Sequence, residues 1–200
     1  MMTDIQSVRY PSEHKQETHD RIVVAAAREF RAGGASVGIA ELMKALKLTH
    51  GGFYRHFKSK DELLAEALTN AMESLGERIA RTAREHPGDE LRTIIESYLS
   101  EAHCADAASG CPLAALGPEL ARESKVVRKA MEAAMRRQVQ LVMPYVRAAD
   151  EDERRSSTVA LLVSMAGALG AARVVDDATM RRGILEAAKR MLLKAYVEQG

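Results

Sequence analysis

Residues 48–64 read LTHGGFYRHFKSKDELL, and this stretch decides the fold of the N-terminal part of the chain. Phe53 and Phe57 lie four positions apart, so they share one face of a short helix predicted from about Thr49 to Phe57. Upstream, apolar residues at helical spacing predict another short helix over residues 38–46, and only Lys47 and Leu48 separate the two. Two short amphipathic helices joined so closely are typical of a helix-turn-helix.

Longer helices are predicted on both sides of this motif. Apolar positions from Ile22 to Phe30 predict a first helix that begins near Thr18 and ends at Gly33 and Gly34. Residues 1–16 contain a proline and no apolar periodicity, which predicts a mobile arm that either joins the first helix or stays separate from it. Ser59 and Glu62 have the spacing of a capping box, which predicts the start of a fourth helix running to about residue 85.

The remaining sequence predicts five more helices, so we expect an all-α protein of about nine helices. The composition agrees, because ten Met and many Ala stand against only three Phe, five Tyr and no Trp. The expected helices cover residues 89–103, 113–121, 124–147, 151–174 and 178–198, with Pro144 shortening the third of them. We divide the chain into the arm (1–16), a helix-turn-helix domain (17–62) and a C-terminal helical domain (63–200).

Charge is unevenly distributed between the two ends of the chain. Residues 1–60 hold ten Lys and Arg against six Asp and Glu, whereas residues 61–200 hold 19 against 22, within an overall net charge of +1. The basic N-terminal part indicates a polyanionic partner there. Two cysteines and no visible signal peptide predict a cytoplasmic protein, and the uncharged residues 156–172 predict a buried helix rather than a membrane span.

The stretch 48–64 resembles the DNA-binding domain of the TetR family of bacterial transcriptional regulators, and the Phe30, double-glycine and Ile39-to-Leu46 spacing agrees with it. This resemblance covers about residues 18–66. It implies a homodimer in which three N-terminal helices bind a palindromic operator in double-stranded DNA, while the C-terminal domain binds a small-molecule effector. The chain departs from the family at Gly38, where Thr or Ser is common and its hydroxyl contacts a phosphate.

The residues predicted to bind DNA lie on and around the third helix. Glycines at its start let the backbone approach the bases in a major groove about 12 Å wide. The sequence favours base contacts by His50, Tyr54 and Arg55, whereas the resemblance implies phosphate contacts by Tyr54 and His56. The full predicted set is Thr49, His50, Gly51, Gly52, Tyr54, Arg55, His56 and Lys60.

Five of these residues also have a purely structural interpretation. Gly51 and Gly52 could be the flexible start of a helix, and Tyr54 and His56 could pack against the first helix. Lys60 could be a solvated lysine.

A dimer interface is predicted on the last two helices, where small and apolar residues recur at helical spacing. Its residues are Ser164, Ala168, Ala172, Leu185, Ala188, Leu192 and Tyr196. They resemble the four-helix interface of the family. The alternative is that both helices belong only to the core of one chain.

Candidate ligand-binding residues are methionines and the few polar groups of the C-terminal domain, namely Tyr98, His103, Cys111, Met131, Met135 and Tyr145. Cys111 stands between a glycine and a proline before a short helix, which makes it a candidate reactive thiol with Cys104 as a resolving partner. Alternatively it is a small buried side chain. A metal site from His103, Cys104, Asp106 and Cys111 lacks recognisable ligand spacing.

These observations predict a ligand-responsive repressor, with no cofactor and no catalysis. A thiol-based sensor of oxidants or electrophiles using Cys111 is the alternative. A helical protein-interaction module and an all-α enzyme are more remote alternatives. The enzyme is remote because no nucleophile is paired with a base at a defined spacing.

Overall fold

The computed structural model describes residues 10–198, which form ten α-helices and no strand. The helices are α1 (Tyr10–Gly33), α2 (Ile39–Ala45), α3 (His50–Phe53), α4 (Lys60–Glu85), α5 (Glu90–Tyr98), α6 (Glu101–Ala105), α7 (Pro112–Leu120), α8 (Lys125–Val142), α9 (Glu151–Arg173) and α10 (Ala178–Tyr196). A short 3-10 turn, Met143–Tyr145, follows α8. The predicted all-α class and the two-part helical organisation are confirmed.

The first helix begins earlier than predicted. Residues 10–16, assigned to the mobile arm, are helical, and residues 1–9 of that arm lie outside the described residues. Pro11 is compatible with this because a proline in the first turn of a helix lacks only an amide that has no partner there. The predicted stop is confirmed: Gly34 has a φ of +92° and its amide donates to the carbonyl of Phe30 at 2.9 Å.

Two other predicted helices were wrong in length. The third helix ends at Phe53 instead of Phe57, because two glycines weaken it and the chain continues in 3-10-type turns, with the amide of His56 donating to the carbonyl of Phe53. The helix predicted over 89–103 is split in two. Ser100 accepts a hydrogen bond from the amide of His103 and so caps a separate helix, α6.

The central helix α4 connects the two ends of the molecule. It packs against α1 and against α5, α7 and α8, and it runs without interruption across the boundary predicted at residue 62. At its start, Ser59 Oγ accepts from the amide of Glu62, while the Glu62 carboxylate accepts from the amide of Lys58. The predicted capping box is therefore present, except that its second hydrogen bond comes from the amide of Lys58 instead of that of Ser59.

The N-terminal core is built around the three phenylalanines. Phe30, Phe53 and Phe57 are fully buried, together with Ile22 and Leu42. Truncating such an aromatic side chain to alanine typically costs about 3–5 kcal/mol of stability. This core holds the helix-turn-helix rigidly against α1 and the first turns of α4.

The helix α9 differs from the predicted buried helix. By length and composition it is long and apolar enough to cross a membrane, and only 33% of its most apolar window is buried within the fold. Its buried side, including Leu161, Met165 and Leu169, packs on α7, α8 and α10. Its other side is exposed and carries the apolar side chains of Val159 and Val163. The helix therefore has one core face and one uncovered apolar face.

Candidate functional site

The turn between α2 and α3 has a defined hydrogen-bonded geometry. Lys47 lies in the left-handed region with a φ of 57°. The amide of Leu48 donates to the carbonyl of Met43 at 2.8 Å, and that of Lys47 to the carbonyl of Lys44 at 3.1 Å. These two bonds form the Schellman motif that ends many helices. The half-buried Leu48 side chain packs against the core, so the turn sets the angle at which α3 leaves α2.

The segment from α3 into the following turns is anchored on one side and free on the other. The rings of Phe53 and Phe57 stack at 5.6 Å inside the core. Tyr54 and Arg55, which come between them, point outward, and Tyr54 is 59% exposed. The ring of Tyr54 meets that of His50 edge to face at 5.6 Å. Three of the predicted DNA-binding side chains are thus brought together on one exposed surface.

The two glycines of α3 are not required by contacts within the chain. A Cβ atom added at Gly51 would meet nothing within 4 Å, and one at Gly52 would lie 3.4 Å from Oγ1 of Thr49. Thr49 itself caps the helix by accepting a hydrogen bond from the amide of Gly52 at 3.1 Å. Packing inside the protein therefore does not explain why this short exposed helix carries glycines, which weaken it.

His56 is half-buried beside α1. Its ring centre lies 6.1 Å from that of His19, and its Nδ1 is buried without a hydrogen-bond partner among the described residues. Burial, followed by the positive charges of His19, Lys15 and Arg55, lowers the pKa of His56. His56 thus contacts α1, as the structural interpretation expects, while a nearby anion would favour its protonated form.

Lys60 and Gly38 are each at the start of a helix. Lys60 is the first residue of α4, and its Nζ lies 5.9 Å from the centre of the Phe30 ring. Gly38 caps α2 with extended backbone and makes no side-chain hydrogen bond. The hydroxyl group that Thr or Ser would supply at this position is absent, as the sequence predicts, and no other side chain makes the capping hydrogen bond.

A groove between the N-terminal end of α1 and α3 contains residues that the sequence analysis missed. Lys15 of α1 and Lys47 of the turn line it together with Thr49, Arg55 and His56. Lys15 lies in the predicted arm, so its place in this groove depends on that part of the arm being the start of α1.

An apolar cavity of about 530 Å³ lies in the C-terminal part. Tyr98, Cys111, Met131 and Met135 from the predicted ligand-binding set line it, together with Gln138. Burial, followed by the neighbouring Cys111 thiol, raises the pKa of Tyr98 well above its ordinary value. The cavity wall also includes residues from α4, α7 and α9, so helices from across the C-terminal part contribute to it.

His103 and Tyr145 lie outside this cavity. His103 lines a separate polar cavity, where its Nδ1 donates to the carbonyl of Tyr98 at 2.7 Å and its Nε2 accepts from the amide of Cys111 at 3.1 Å. These partners require the neutral ring. Burial is the main cause that lowers the pKa of His103. Its role is to hold the loop before α7, and Tyr145 packs against the core.

Arginines hold the loop formed by residues 106–111. Arg31 of α1 donates to the carbonyl of Ala108 at 2.7 Å, and Arg78 of α4 donates to the carbonyl of Ser109 at 2.8 Å. Burial and the nearby Arg78 and Arg28 lower the pKa of Arg31 to about 10, so it stays protonated at neutral pH. Among the residues that the structure describes, no three His, Cys, Asp or Glu side chains converge on a metal position.

The helix-turn-helix region is similar in sequence to known proteins. Residues 22–67 match the profile of the bacterial regulatory proteins of the tetR family. This part of the chain is therefore similar to the DNA-binding domain of that family. The HTH-type transcriptional regulator AcrR of Shigella flexneri is 33% identical over 89 residues, which are 44% of this chain and 41% of that protein. TtgR of Pseudomonas putida, another HTH-type transcriptional regulator, is 34% identical over 77 residues, 38% of this chain and 36% of TtgR.

Two solved structures share the fold over most of the chain. The reduced form of NemR from E. coli is similar with a TM-score of 0.75 at 18% identity, covering 90% of this chain and 97% of NemR. A TetR transcriptional regulator from Chloroflexus aurantiacus has a TM-score of 0.73 at 23% identity, covering 92% and 98%. The TetR-family fold thus extends through the C-terminal helices, where the sequence resemblance ends.

Three of the seven residues predicted for a TetR-family dimer interface pack within one chain. Ala172, Leu185 and Leu192 are at most 2% exposed because α9 and α10 pack against each other, so they belong to the intramolecular core. Ser164, Ala168, Ala188 and Tyr196 are half-buried. The most exposed side of α9 instead carries Ala160, Val163, Gly167, Ala171 and Val174, which we call the α9 stripe.

Proposed function

We propose that this chain is a DNA-binding transcriptional regulator that acts as a homodimer and releases its operator when a small molecule binds. One observation carries the DNA-binding part: Tyr54 and Arg55 are held outward by buried phenylalanines on both sides, next to two glycines that the fold itself does not need. A bare backbone beside exposed hydrogen-bonding side chains suits entry into the major groove.

Contacts with bases and with phosphates come from different parts of this surface. Arg55 is suited to a bidentate contact with a guanine, with His50 and Tyr54 beside it. Lys15, Lys47 and His56 line the groove beside Arg55 and would contact phosphates, together with Thr49 and with Lys60 at the start of α4. Two copies are needed because one domain of this size makes too few contacts for a specific site, and they would bind a palindrome.

The α9 stripe supports dimer formation. It is an uncharged run of small and apolar side chains that is exposed along the helix, and small residues let two helices approach closely. A second chain docked there would bury this surface and hold the two recognition helices at a set spacing. Half-sites one turn of DNA apart require about 34 Å between them.

Two connections would carry a signal from the cavity to the DNA surface. The helix α4 lines the cavity with Met72, Leu75 and Ile79, and its first turn borders the DNA surface. The helix α7 also lines the cavity, and its Glu119 accepts a hydrogen bond from the amide of Ala35 before α2. A ligand that prefers another arrangement of these helices would change the spacing of the recognition helices and release DNA. Because ligand binding would release the DNA, we propose that the protein is a repressor. We also propose that it acts in the cytoplasm.

The experiment selects duplexes from a randomised pool with the wild-type protein and then measures binding by fluorescence anisotropy. Arg55→Ala should weaken binding by about 1–3 kcal/mol per half-site and relax the preference at one base pair. Tyr54→Phe should weaken binding through the lost hydroxyl. Arg147→Ala is the matched control, since it removes an exposed charge in the C-terminal part. Failure to enrich a palindrome would contradict the proposal.

A thiol trigger is the second candidate, favoured by the position of Cys111 on the cavity wall beside Tyr98. The Cys111 sulfur would add across the C=C bond of an electrophile such as N-ethylmaleimide: the carbon–sulfur bond forms, the π bond breaks, and the neighbouring carbon takes up a proton in place of the one lost from the thiol. Cys111→Ser should then abolish release of the selected DNA by N-ethylmaleimide, whereas Cys104→Ser should not. Unchanged release from the Cys111 variant rejects this candidate.

A further inference from the structure

Four arginines lie around the loop that connects α6 to α7. Arg28 and Arg31 of α1 and Arg78 of α4 each donate a hydrogen bond to residues 108–109 of this loop. Arg81 lies one helical turn after Arg78 on α4. Within the part of the chain that the structure describes, none of the four forms an ion pair with a carboxylate, although arginines of α5, α8, α9 and α10 do. The loop therefore lies in a region of excess positive charge.

Among the described residues, one acidic side chain, Asp106, opposes the charge of these arginines. Its carboxylate accepts a hydrogen bond from the amide of Ser109 at 3.0 Å, within the loop. Arg28 and Arg31 are the positive charges that act on this carboxylate. Burial, followed by the neighbouring Arg81, lowers the pKa of Arg78. The charge of Asp106 is thus offset by α1, and the two arginines of α4 are left without a countercharge.

The two arginines of α4 line a polar cavity of about 330 Å³ between α4, α5, α6 and the loop. Nη2 of Arg78 is bonded to the loop, but its other two guanidinium nitrogens make no hydrogen bond with the described residues and are accessible to solvent. Arg81 is exposed. Thr82 and Ser97, which each carry a hydroxyl group, line the same cavity. Donors that can bind an anion are therefore both present and accessible.

The charges of the cavity wall determine which occupant fits. His103 is neutral there, because both of its ring nitrogens are used in the hydrogen bonds to Tyr98 and Cys111. A cation would be repelled by the two guanidinium groups, and an apolar ligand would leave them without a partner. A phosphate group carries up to two negative charges near neutral pH and presents several acceptor oxygens, which match the planar donors of arginine.

We propose that this polar cavity binds a small phosphate compound, either inorganic phosphate or a phosphate monoester, through Arg78 and Arg81. The site is distinct from the apolar cavity, although Leu75, Ile79 and Tyr98 belong to the walls of both. It goes beyond the proposed effector site and does not depend on DNA binding. Its volume of about 330 Å³ falls at the lower end of the range for small-molecule sites, about 300–1,000 Å³.

The test uses isothermal titration calorimetry on the full chain near pH 7.5, at an ionic strength kept constant with sodium chloride. The probes are inorganic phosphate, glycerol 3-phosphate and acetate. We expect a phosphate compound to bind with a Kd below about 10 mM, and acetate to bind at least about 10-fold more weakly. Tighter binding of glycerol 3-phosphate than of inorganic phosphate identifies a monoester as the ligand, and the reverse order identifies free phosphate.

Arg81→Gln should weaken binding of the tighter phosphate compound by about 10-fold or more, because one charged hydrogen bond is lost. The matched control is Arg84→Gln, which changes an exposed arginine of the same helix that is not part of the cavity wall, and it should keep the wild-type Kd. Circular dichroism checks that both variants are folded. Arg81→Ala replaces the glutamine variant if that one unfolds.

No binding of either phosphate compound at about 10 mM, or acetate binding as tight as phosphate binding, would overturn the proposal. Binding that survives in the folded Arg81 variant would also overturn it, because phosphate bound only at the DNA surface does not need this arginine. Equal losses in the Arg81 and Arg84 variants would do the same, since they indicate a general effect of charge instead of a site.

Discussion

The backbone amide of Ala35 donates a hydrogen bond to Oε2 of Glu119 at 2.7 Å, across 84 residues of sequence. Ala35 lies in the loop between α1 and α2, whereas Glu119 is on α7, which lines the large cavity. The Glu119 carboxylate also fills the space beside Gly34, where a Cβ would lie 3.0 Å from Oε2. A single side chain thus links the cavity wall to the helix-turn-helix.

We expect Glu119→Ala to destabilise the protein by about 1–3 kcal/mol, because it leaves the amide of Ala35 without its acceptor. Glu119→Gln keeps an acceptor oxygen and should lose less. Chemical denaturation measures the difference. The control is Glu132→Ala, which removes an exposed i,i+4 ion pair with Arg136 and should cost at most about 0.5 kcal/mol. Equal losses in the Glu119 and Glu132 alanine variants would show that the link is unimportant.

At the glycines of α3, a substitution that increases stability should weaken DNA binding. Gly51→Ala adds a methyl group into open space, so it should stabilise the folded chain by about 0.5–1 kcal/mol. The same methyl should obstruct approach to the bases and weaken binding of the selected duplex. Ala133→Gly, at an exposed position of α8, should lower stability by a similar amount and leave DNA binding unchanged. A Gly51→Ala variant that binds DNA normally would exclude close backbone approach.

The buried His103 should make the protein less stable in acid. Burial lowers its pKa below the ordinary 6.5, and the nearby Arg173 and Arg78 lower it further. As the pH falls below 6.5, the unfolded chain therefore binds a proton that the folded chain does not, and the stability present above that pH is lost. The slope contributed by one histidine is at most about 1.4 kcal/mol per pH unit.

Denaturation between pH 7.5 and 5.5 measures this loss, and His103→Gln should flatten the dependence. The matched control is His86→Gln, which replaces an exposed histidine at the end of α4. If both variants keep the wild-type slope, His103 is not the group responsible.

A charge on the α9 stripe should separate the proposed dimer. Gly167 is exposed and a Cβ there meets nothing within 4 Å, so Gly167→Glu should fold normally. In a dimer packed on this stripe, the carboxylate would be buried without a partner. Sedimentation velocity should then show a monomer, and binding of the palindrome should fall with it. Ala133→Glu places the same charge on α8 and should remain dimeric, whereas a dimeric Gly167→Glu would place the interface elsewhere.

Much of this protein could be predicted from its sequence because the signals are local. Helical spacing, the glycine stop after Phe30 and the caps at Ser59, Asp150 and Asp177 each depend on residues within a few positions of one another. The helix-turn-helix is likewise contiguous in sequence, so its exposed face could be inferred from Phe53 and Phe57. The same local reasoning missed the helix break at Ser100, where a cap interrupts an otherwise continuous apolar pattern.

Tertiary structure decided which side of each long helix is covered and which residues meet across the chain. Sequence spacing placed Ala172, Leu185 and Leu192 on apolar stripes, but only the packing of α9 on α10 showed that these are core and that the opposite face of α9 is exposed. Gln138 was visible as one polar residue in an apolar repeat, yet its hydrogen bond to the carbonyl of Met72 joins residues 66 positions apart. Local periodicity determines that a helix has an apolar face. Which partner covers that face, and which polar group is left unpaired, depends on contacts between residues far apart in sequence.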